Sequence, residues 1–124
     1  MAPATPDSKA LRILVVDDDP HTRIVIARLL ASNGHEVVQA VSATDALARA
    51  KGKKFDLLLT DHAMPGMNGM ELATIMQEAN PAQRVILLTG YPLQPEAIPA
   101  TISFLKKPAE PRAILSAIAR AMAA

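Results

Sequence analysis

The chain has 124 residues, a net charge of +1 and no cysteine, a length that suits one domain with a proper core. The missing cysteines exclude disulfides and thiolate metal sites and fit a cytoplasmic location, while the small charge gives no reason to expect binding to nucleic acid or an anionic membrane. No apolar run approaches the roughly 18 residues that cross a bilayer. Residues 1–10 are small, polar and proline-containing, so we expect a flexible N-terminal tail before a domain at residues 11–124.

Short apolar runs alternate with helical patterns along the chain. The runs predict five strands, at residues 13–16, 35–40, 55–60, 84–89 and 102–105. The first helix starts at Pro20, after Asp19 as N-cap, and stops at Gly34. Ser42 and Asp45 resemble a capping box for a second helix, which Lys51, Lys53 and Lys54 close. Two more helices are predicted, at residues 70–80 and 112–124.

This alternation predicts an α/β fold, a single doubly wound parallel sheet with helices on both faces. The connection between the fourth and fifth strands is weaker than the others, because Pro92, Pro95 and Pro99 fall within it. We therefore expect its helix, the fourth along the chain, to be short or irregular and to span about residues 96–101.

Charged side chains cluster where the predicted strands end. Asp17 and Asp18 follow the first strand, Asp61 the third and Lys107 the fifth, while Thr89 ends the fourth. Ligand sites of open α/β sheets lie at this carboxyl edge. Carboxylates about 4 Å apart repel by roughly 4 kcal/mol near a protein surface, so a cation is expected between them. Mg²⁺ suits such a place, because it binds one or two carboxylates together with waters and phosphate oxygens.

Four motifs in this order resemble the receiver domain of two-component response regulators. They are Ile-Leu-Val-Val-Asp-Asp-Asp-Pro, Leu-Leu-Leu-Thr-Asp-His-Ala-Met-Pro-Gly-Met-Asn-Gly, Leu-Leu-Thr-Gly-Tyr and Phe-Leu-Lys-Lys-Pro, from about Leu11 to the end of the chain. The resemblance implies a flavodoxin-like five-stranded sheet with strand order 2-1-3-4-5. It also implies a two-component signalling protein that receives a phosphoryl group from a histidine kinase or a histidine phosphotransfer protein and then acts on a downstream protein.

The resemblance also implies a role for individual residues. Asp61 would be the phosphoacceptor, and Thr89 and Lys107 would contact the phosphoryl group. Lys107 would precede a cis bond to Pro108. The expected Mg²⁺ ligands are Asp17, Asp18, Asp61 and the backbone carbonyl of Ala63. Phe104 occupies the aromatic switch position but could equally be plain core, and Tyr91, in a Gly-Tyr pair where many receivers carry alanine and an acidic residue, is a second candidate switch.

Other functions stay open from the sequence. A degenerate receiver could act only as a protein-binding module. An aspartate-nucleophile phosphatase of the haloacid-dehalogenase type would want an acidic residue two positions after Asp61, where Ala63 stands. His21 and His62 lack the spacing of a zinc site, and the lysines at 51, 53 and 54 are read as a solvated helix end. We expect no enzymatic activity beyond self-phosphorylation and autodephosphorylation. Because this sequence contains no DNA-binding segment, we also expect no direct contact with nucleic acid.

Overall fold

The structure, a computed structural model, describes residues 10–90 and 100–123. Five strands and four helices lie in this part of the chain. In chain order they are β1 (Arg12–Val16), α1 (Pro20–Ser32), β2 (Glu36–Ala40), α2 (Ala43–Ala50), β3 (Leu57–Asp61), α3 (Gly69–Ala79), β4 (Arg84–Thr89), β5 (Ile102–Lys106) and α4 (Pro111–Ala123). The strands form one sheet in the order β2-β1-β3-β4-β5, and every neighbouring pair is parallel. The predicted fold and strand order are confirmed.

The helices cover both faces of the sheet. Leu14, Val16 and Leu58 pack with α2 and α3 on one face, whereas Ile13 and Leu57 pack with α1 and α4 on the other. Strands covered on both faces need apolar side chains at consecutive positions rather than at alternate ones. This requirement explains the continuous apolar runs of β1, β3 and β4.

Helix starts are fixed by side chains that accept backbone hydrogen bonds. Asp19 accepts from the Thr22 backbone N–H at 3.2 Å, and Ser42 accepts from the Asp45 N–H at 3.0 Å. The predicted box at Ser42 is incomplete, because the Asp45 carboxylate accepts from Val41 instead of Ser42. The reciprocal capping box forms one helix later, between Asn68 and Glu71, and it starts α3 at Gly69 instead of residue 70.

Several boundaries and burial assignments differ from the sequence pattern. Helix α2 ends at Ala50, so its lysines lie in the cap and the following turn instead of the last helical turn. Helix α1 buries Ile26, Ala27 and Leu30, while Ile24 and Val25 are 38% and 51% exposed. The apolar residues of α1 therefore extend beyond the stripe that meets the sheet.

Three of the predictions fall wholly or mostly on parts of the chain that the structure does not describe. Residues 1–9 of the expected tail lie outside the described residues, as do Tyr91 and most of the fourth crossover, residues 91–99. Ala100 and Thr101 form a turn that leads into β5. Within the described ranges, no helix has both the length and the apolar character needed to cross a membrane.

Candidate functional site at the carboxyl edge of the sheet

Three carboxylates meet where β1 and β3 end. Asp17 and Asp18 follow the last residue of β1, and Asp61 is the last residue of β3. Because the two strands are parallel neighbours, their carboxyl ends lie side by side. One oxygen from each carboxylate lies within 4.8 Å of the other two. The three residues therefore share one crevice, as the sequence predicts.

Lys107 reaches the same crevice from the loop after β5. Its Nζ lies 3.1 Å from Asp17 Oδ2 and 3.1 Å from Asp61 Oδ1. The Asp17 and Asp61 side chains are only 2% and 8% exposed, whereas the Lys107 side chain is 27% exposed. A single ammonium group thus bridges two buried carboxylates and remains open to solvent on one side.

The cluster shifts the protonation equilibria of both partners. Burial raises the pKa of Asp61, and the charges of Asp17 and Asp18 raise it further, against the lowering effect of Lys107. Burial alone would lower the pKa of Lys107, but its hydrogen bonds to Asp61 and Asp17 outweigh burial and raise it. Lys107 is therefore protonated and positively charged at neutral pH. The ionised form of Asp61 is disfavoured by its surroundings, and a second cation beside it would stabilise that form.

Backbone contacts hold the carboxylates in place. Asp17 Oδ1 accepts a hydrogen bond from the Asp19 N–H at 2.9 Å, and Arg23 donates to the Asp17 carbonyl at 3.0 Å. The Thr60 hydroxyl donates to the Asp61 carbonyl at 2.9 Å. The Asp17 carboxylate is thus held by the start of α1, while the contacts to the two carbonyls hold the main chain at Asp17 and at Asp61.

Gly69 fits tightly under the site, a contact that sequence reasoning missed. A methyl group at its Cα would lie 2.8 Å from Leu87 Cδ2, 2.9 Å from His62 Cα and even closer to the Asp61 carbonyl oxygen. The Gly69 N–H donates to the His62 carbonyl at 2.9 Å. Only a residue without a side chain lets α3 start against the end of β3. The glycine stands in the Pro-Gly-Met-Asn-Gly part of the second motif, but the motif alone does not show which backbone atoms lie against it.

The other predicted site residues lie around this centre. Thr89 is buried at the end of β4, one residue beyond Leu88, which pairs with Asp61. Ala63 is exposed, two residues beyond Asp61. Phe104 lies in β5 and is partly buried against the core on the α2 and α3 face. The Lys107–Pro108 bond is cis, as the resemblance implies. Tyr91 lies outside the described residues.

The donor set fits a hard divalent cation. The three oxygens come from carboxylates, two of them buried and one, from Asp18, exposed. Mg²⁺ prefers such oxygen ligands and keeps several of its waters, which the exposed side of the crevice accommodates. These side chains could therefore bind Mg²⁺.

A sequence profile for the response regulator receiver domain matches residues 13–119, and the chain belongs to this family. It is 37% identical over 114 residues to the transcriptional regulatory protein GlrR of Escherichia coli strain K12, covering 89% of this chain and 26% of that protein. The chain thus spans about a quarter of that relative's length. It is 32% identical to the response regulator receiver protein CpdR of Brucella abortus strain 2308, covering 91% of this chain and 98% of that one.

A solved structure agrees with this assignment. The response regulator receiver domain protein, CheY-like, from Methanospirillum hungatei JF-1 superposes with a TM-score of 0.83 at 30% identity, covering 93% of this chain and 95% of that one. The class of protein is therefore a signalling domain of two-component systems.

Proposed function

We propose that this chain is a phosphoacceptor switch in which Asp61 takes a phosphoryl group from a phosphohistidine. The observation that carries the proposal is the position of the Lys107 ammonium, 3.1 Å from carboxylate oxygens of both Asp61 and Asp17. A phosphoryl group on Asp61 would bring oxygens within reach of a cation that is already in place. We include in the proposal one receiver domain over residues 11–124, a cytoplasmic location and a downstream protein partner.

The transfer is an exchange at phosphorus. An Asp61 carboxylate oxygen attacks, the new O–P bond forms as the N–P bond to the donor histidine breaks, and the imidazole leaves with the electron pair. Lys107 then exchanges its contact with the Asp61 carboxylate for a charge-assisted hydrogen bond to a phosphoryl oxygen. Thr89, buried at the end of the neighbouring strand, would offer its hydroxyl to another phosphoryl oxygen. These exchanges would alter the packing around β4 and β5.

Mg²⁺ held by Asp17, Asp18 and Asp61, with Ala63 as a backbone ligand, would neutralise the charge of the phosphoryl oxygens. Before any transfer, the same three carboxylates repel one another, and among the described residues the Lys107 ammonium is the one cation that forms ion pairs with two of them. The chain's own contribution is to position the nucleophile between two cationic groups. Removal of either positive charge should therefore slow phosphorylation at Asp61.

The surface beside Lys107 suits a phosphodonor protein. A groove of about 490 Å³ lies between α1 and α4, lined by Val25, Leu29 and Ile114 and bordered by Lys107 and Pro108. Val25 is about half exposed, so its apolar side chain is available to a partner. A helix of a histidine kinase or of a histidine phosphotransfer protein placed in this groove would bring its phosphohistidine to the crevice.

The first test is phosphorylation by a small donor. With Mg²⁺ and acetyl phosphate, intact mass spectrometry should show one added phosphoryl group, absent in Asp61→Asn and in the presence of EDTA. A module that only binds proteins would show no added mass. A phosphatase would instead hydrolyse a generic phosphomonoester through many turnovers. Either result would refute the proposal.

The second test separates donor docking from chemistry. Val25→Asp should slow phosphoryl transfer from a phosphorylated histidine phosphotransfer protein by at least about tenfold, because a buried interface position would then carry an unpaired charge. Ile24→Asp, one residue away and outside the groove, is the matched control. Both variants should react with acetyl phosphate like the parent chain. Equal effects of the two variants on transfer would rule out the groove as the docking site.

A further inference from the structure

A second groove lies near the amino-terminal ends of the strands, on the side of the sheet opposite to the carboxylates at their carboxyl ends. It has a volume of about 760 Å³ and runs between the C-terminal ends of α2 and α3. Its apolar lining comes from Leu47 and Ala50 of α2 and from Ile75, Met76 and Ala79 of α3. Ile75 is 38% exposed, which leaves part of this apolar surface in contact with water.

Three lysines border the apolar lining. Lys51, Lys53 and Lys54 belong to the loop that connects α2 to β3, and all three are exposed. In the part of the chain that the structure describes, no carboxylate lies within 4.0 Å of their ammonium groups. None of the described residues that line the groove is acidic. The groove therefore combines an apolar floor with an uncompensated positive rim.

We propose that this groove binds an amphipathic helix of a partner protein, with apolar residues on one face and acidic residues beside them. The apolar floor matches helix-in-groove recognition, in which apolar side chains at helical spacing enter a concave surface. The lysine rim selects for acidic flanks through electrostatic complementarity. Nucleic acid would satisfy the lysines but leave the apolar floor uncovered, and a membrane surface would not fill a concave groove.

The proposed contact is independent of phosphoryl chemistry at Asp61. Lys54 precedes β3 and Asp61 ends it, so the two sites lie at opposite ends of the same strand. A partner helix in this groove would not obstruct the crevice or the surface between α1 and α4. The chain could then bind one protein at this groove while the crevice around Asp61 reacts with another.

The test uses a designed helical peptide with leucine at positions i, i+3, i+4 and i+7 and glutamate beside them. Fluorescence anisotropy should show saturable binding to the full chain, and amide chemical-shift changes should map to the groove. Ile75→Asp should weaken binding at least about tenfold, because it places a charge on the apolar floor. Ile24→Asp provides the matched control, since Ile24 has the same 38% exposure on another helix and should leave binding unchanged.

The electrostatic part has its own controls. Combined Lys51→Glu, Lys53→Glu and Lys54→Glu changes should also weaken binding, and Lys106→Glu, elsewhere on the surface, should not. Raising NaCl from about 0.05 to about 0.5 M should weaken binding several-fold through screening. A peptide with lysine in place of glutamate should bind markedly less. Equal binding of the two peptides would overturn the proposed charge selection.

Other outcomes would assign the groove differently. No saturable binding, or shifts that map to the surface between α1 and α4, would overturn the proposal. Self-association of the chain that Ile75→Asp abolishes would identify a second copy as the occupant instead. Stronger binding to a polynucleotide or to anionic vesicles than to the acidic peptide would also refute it. Asp61→Asn should bind the peptide normally, so failure of the phosphoacceptor proposal is distinguishable from failure of this one.

Discussion

Replacing Lys107 by methionine should reveal how strongly the stability of the fold depends on the ammonium group that bridges Asp17 and Asp61. Each of the two contacts at 3.1 Å corresponds to roughly 5 kcal/mol of attraction at an effective dielectric of 20. Desolvation of the three groups offsets most of this gain, and removing one partner of a buried pair costs about 3–5 kcal/mol. The Lys107 side chain is 27% exposed, so we expect a smaller loss, about 2 kcal/mol at neutral pH in EDTA.

Urea denaturation with and without Mg²⁺ measures this loss. If the three carboxylates bind Mg²⁺, millimolar Mg²⁺ should restore most of the lost unfolding free energy, because the metal ion replaces the missing positive charge. Lys106→Met is the matched control and should change stability by less than about 0.5 kcal/mol, as is usual at exposed positions. A Lys107→Met variant as stable as this control in EDTA would refute the electrostatic account. A loss that Mg²⁺ does not reduce would refute the shared site.

Three further changes test separate contacts. Gly69→Ala should lower the free energy of unfolding by roughly 2 kcal/mol, because it forces the Asp61 carbonyl and α3 apart. At Gly90 an added methyl group would meet no described atom within 4 Å, so Gly90→Ala should be nearly neutral in the same urea titration. Burial lowers the pKa of His35, and its Nδ1 accepts a hydrogen bond from the Leu11 N–H, so the folded state favours neutral His35. The fold should therefore lose stability as the pH falls below 6.5, the ordinary histidine pKa. His35→Gln should make the free energy of unfolding less dependent on pH when denaturation is measured between about pH 5 and pH 8. Burial and neighbouring acids raise the pKa of Asp61, so Asp61→Asn in EDTA at pH 7 should raise the melting temperature, and a lower one would contradict this account of the site.

The sequence predicted the sheet well because its signal is local. Continuous apolar runs identify β1, β3 and β4 as strands buried on both faces, and all five strands begin and end within two residues of their predicted positions. The strand ends then brought Asp17, Asp61 and Lys107 to one edge through topology alone. Parallel pairing is the only long-range information that this step needs.

What the sequence left undetermined depends on distant neighbours. The apolar stretch of α1 does not show which residues face the sheet, and the structure buries Ile26 while it leaves Val25 half exposed. The hydrogen bond from Leu11 to His35 joins residues 24 positions apart. The tight space around Gly69 depends on where β3 and α3 meet. None of these contacts can be recognised from a short window of sequence, because each depends on residues that are far apart in the chain.

The proposed chemistry and the outer surfaces use different parts of the scaffold. The crevice is supplied by strand termini and the loops directly after them, whereas the apolar lining of both grooves comes mainly from the sides of helices. The choice of partner protein could therefore be changed by replacing a few outward-facing helical side chains, without altering the acidic residues at the strand ends. For protein engineers, this separation makes the chain a candidate base for insulated signalling circuits, in which each copy keeps one reaction but responds to its own companion.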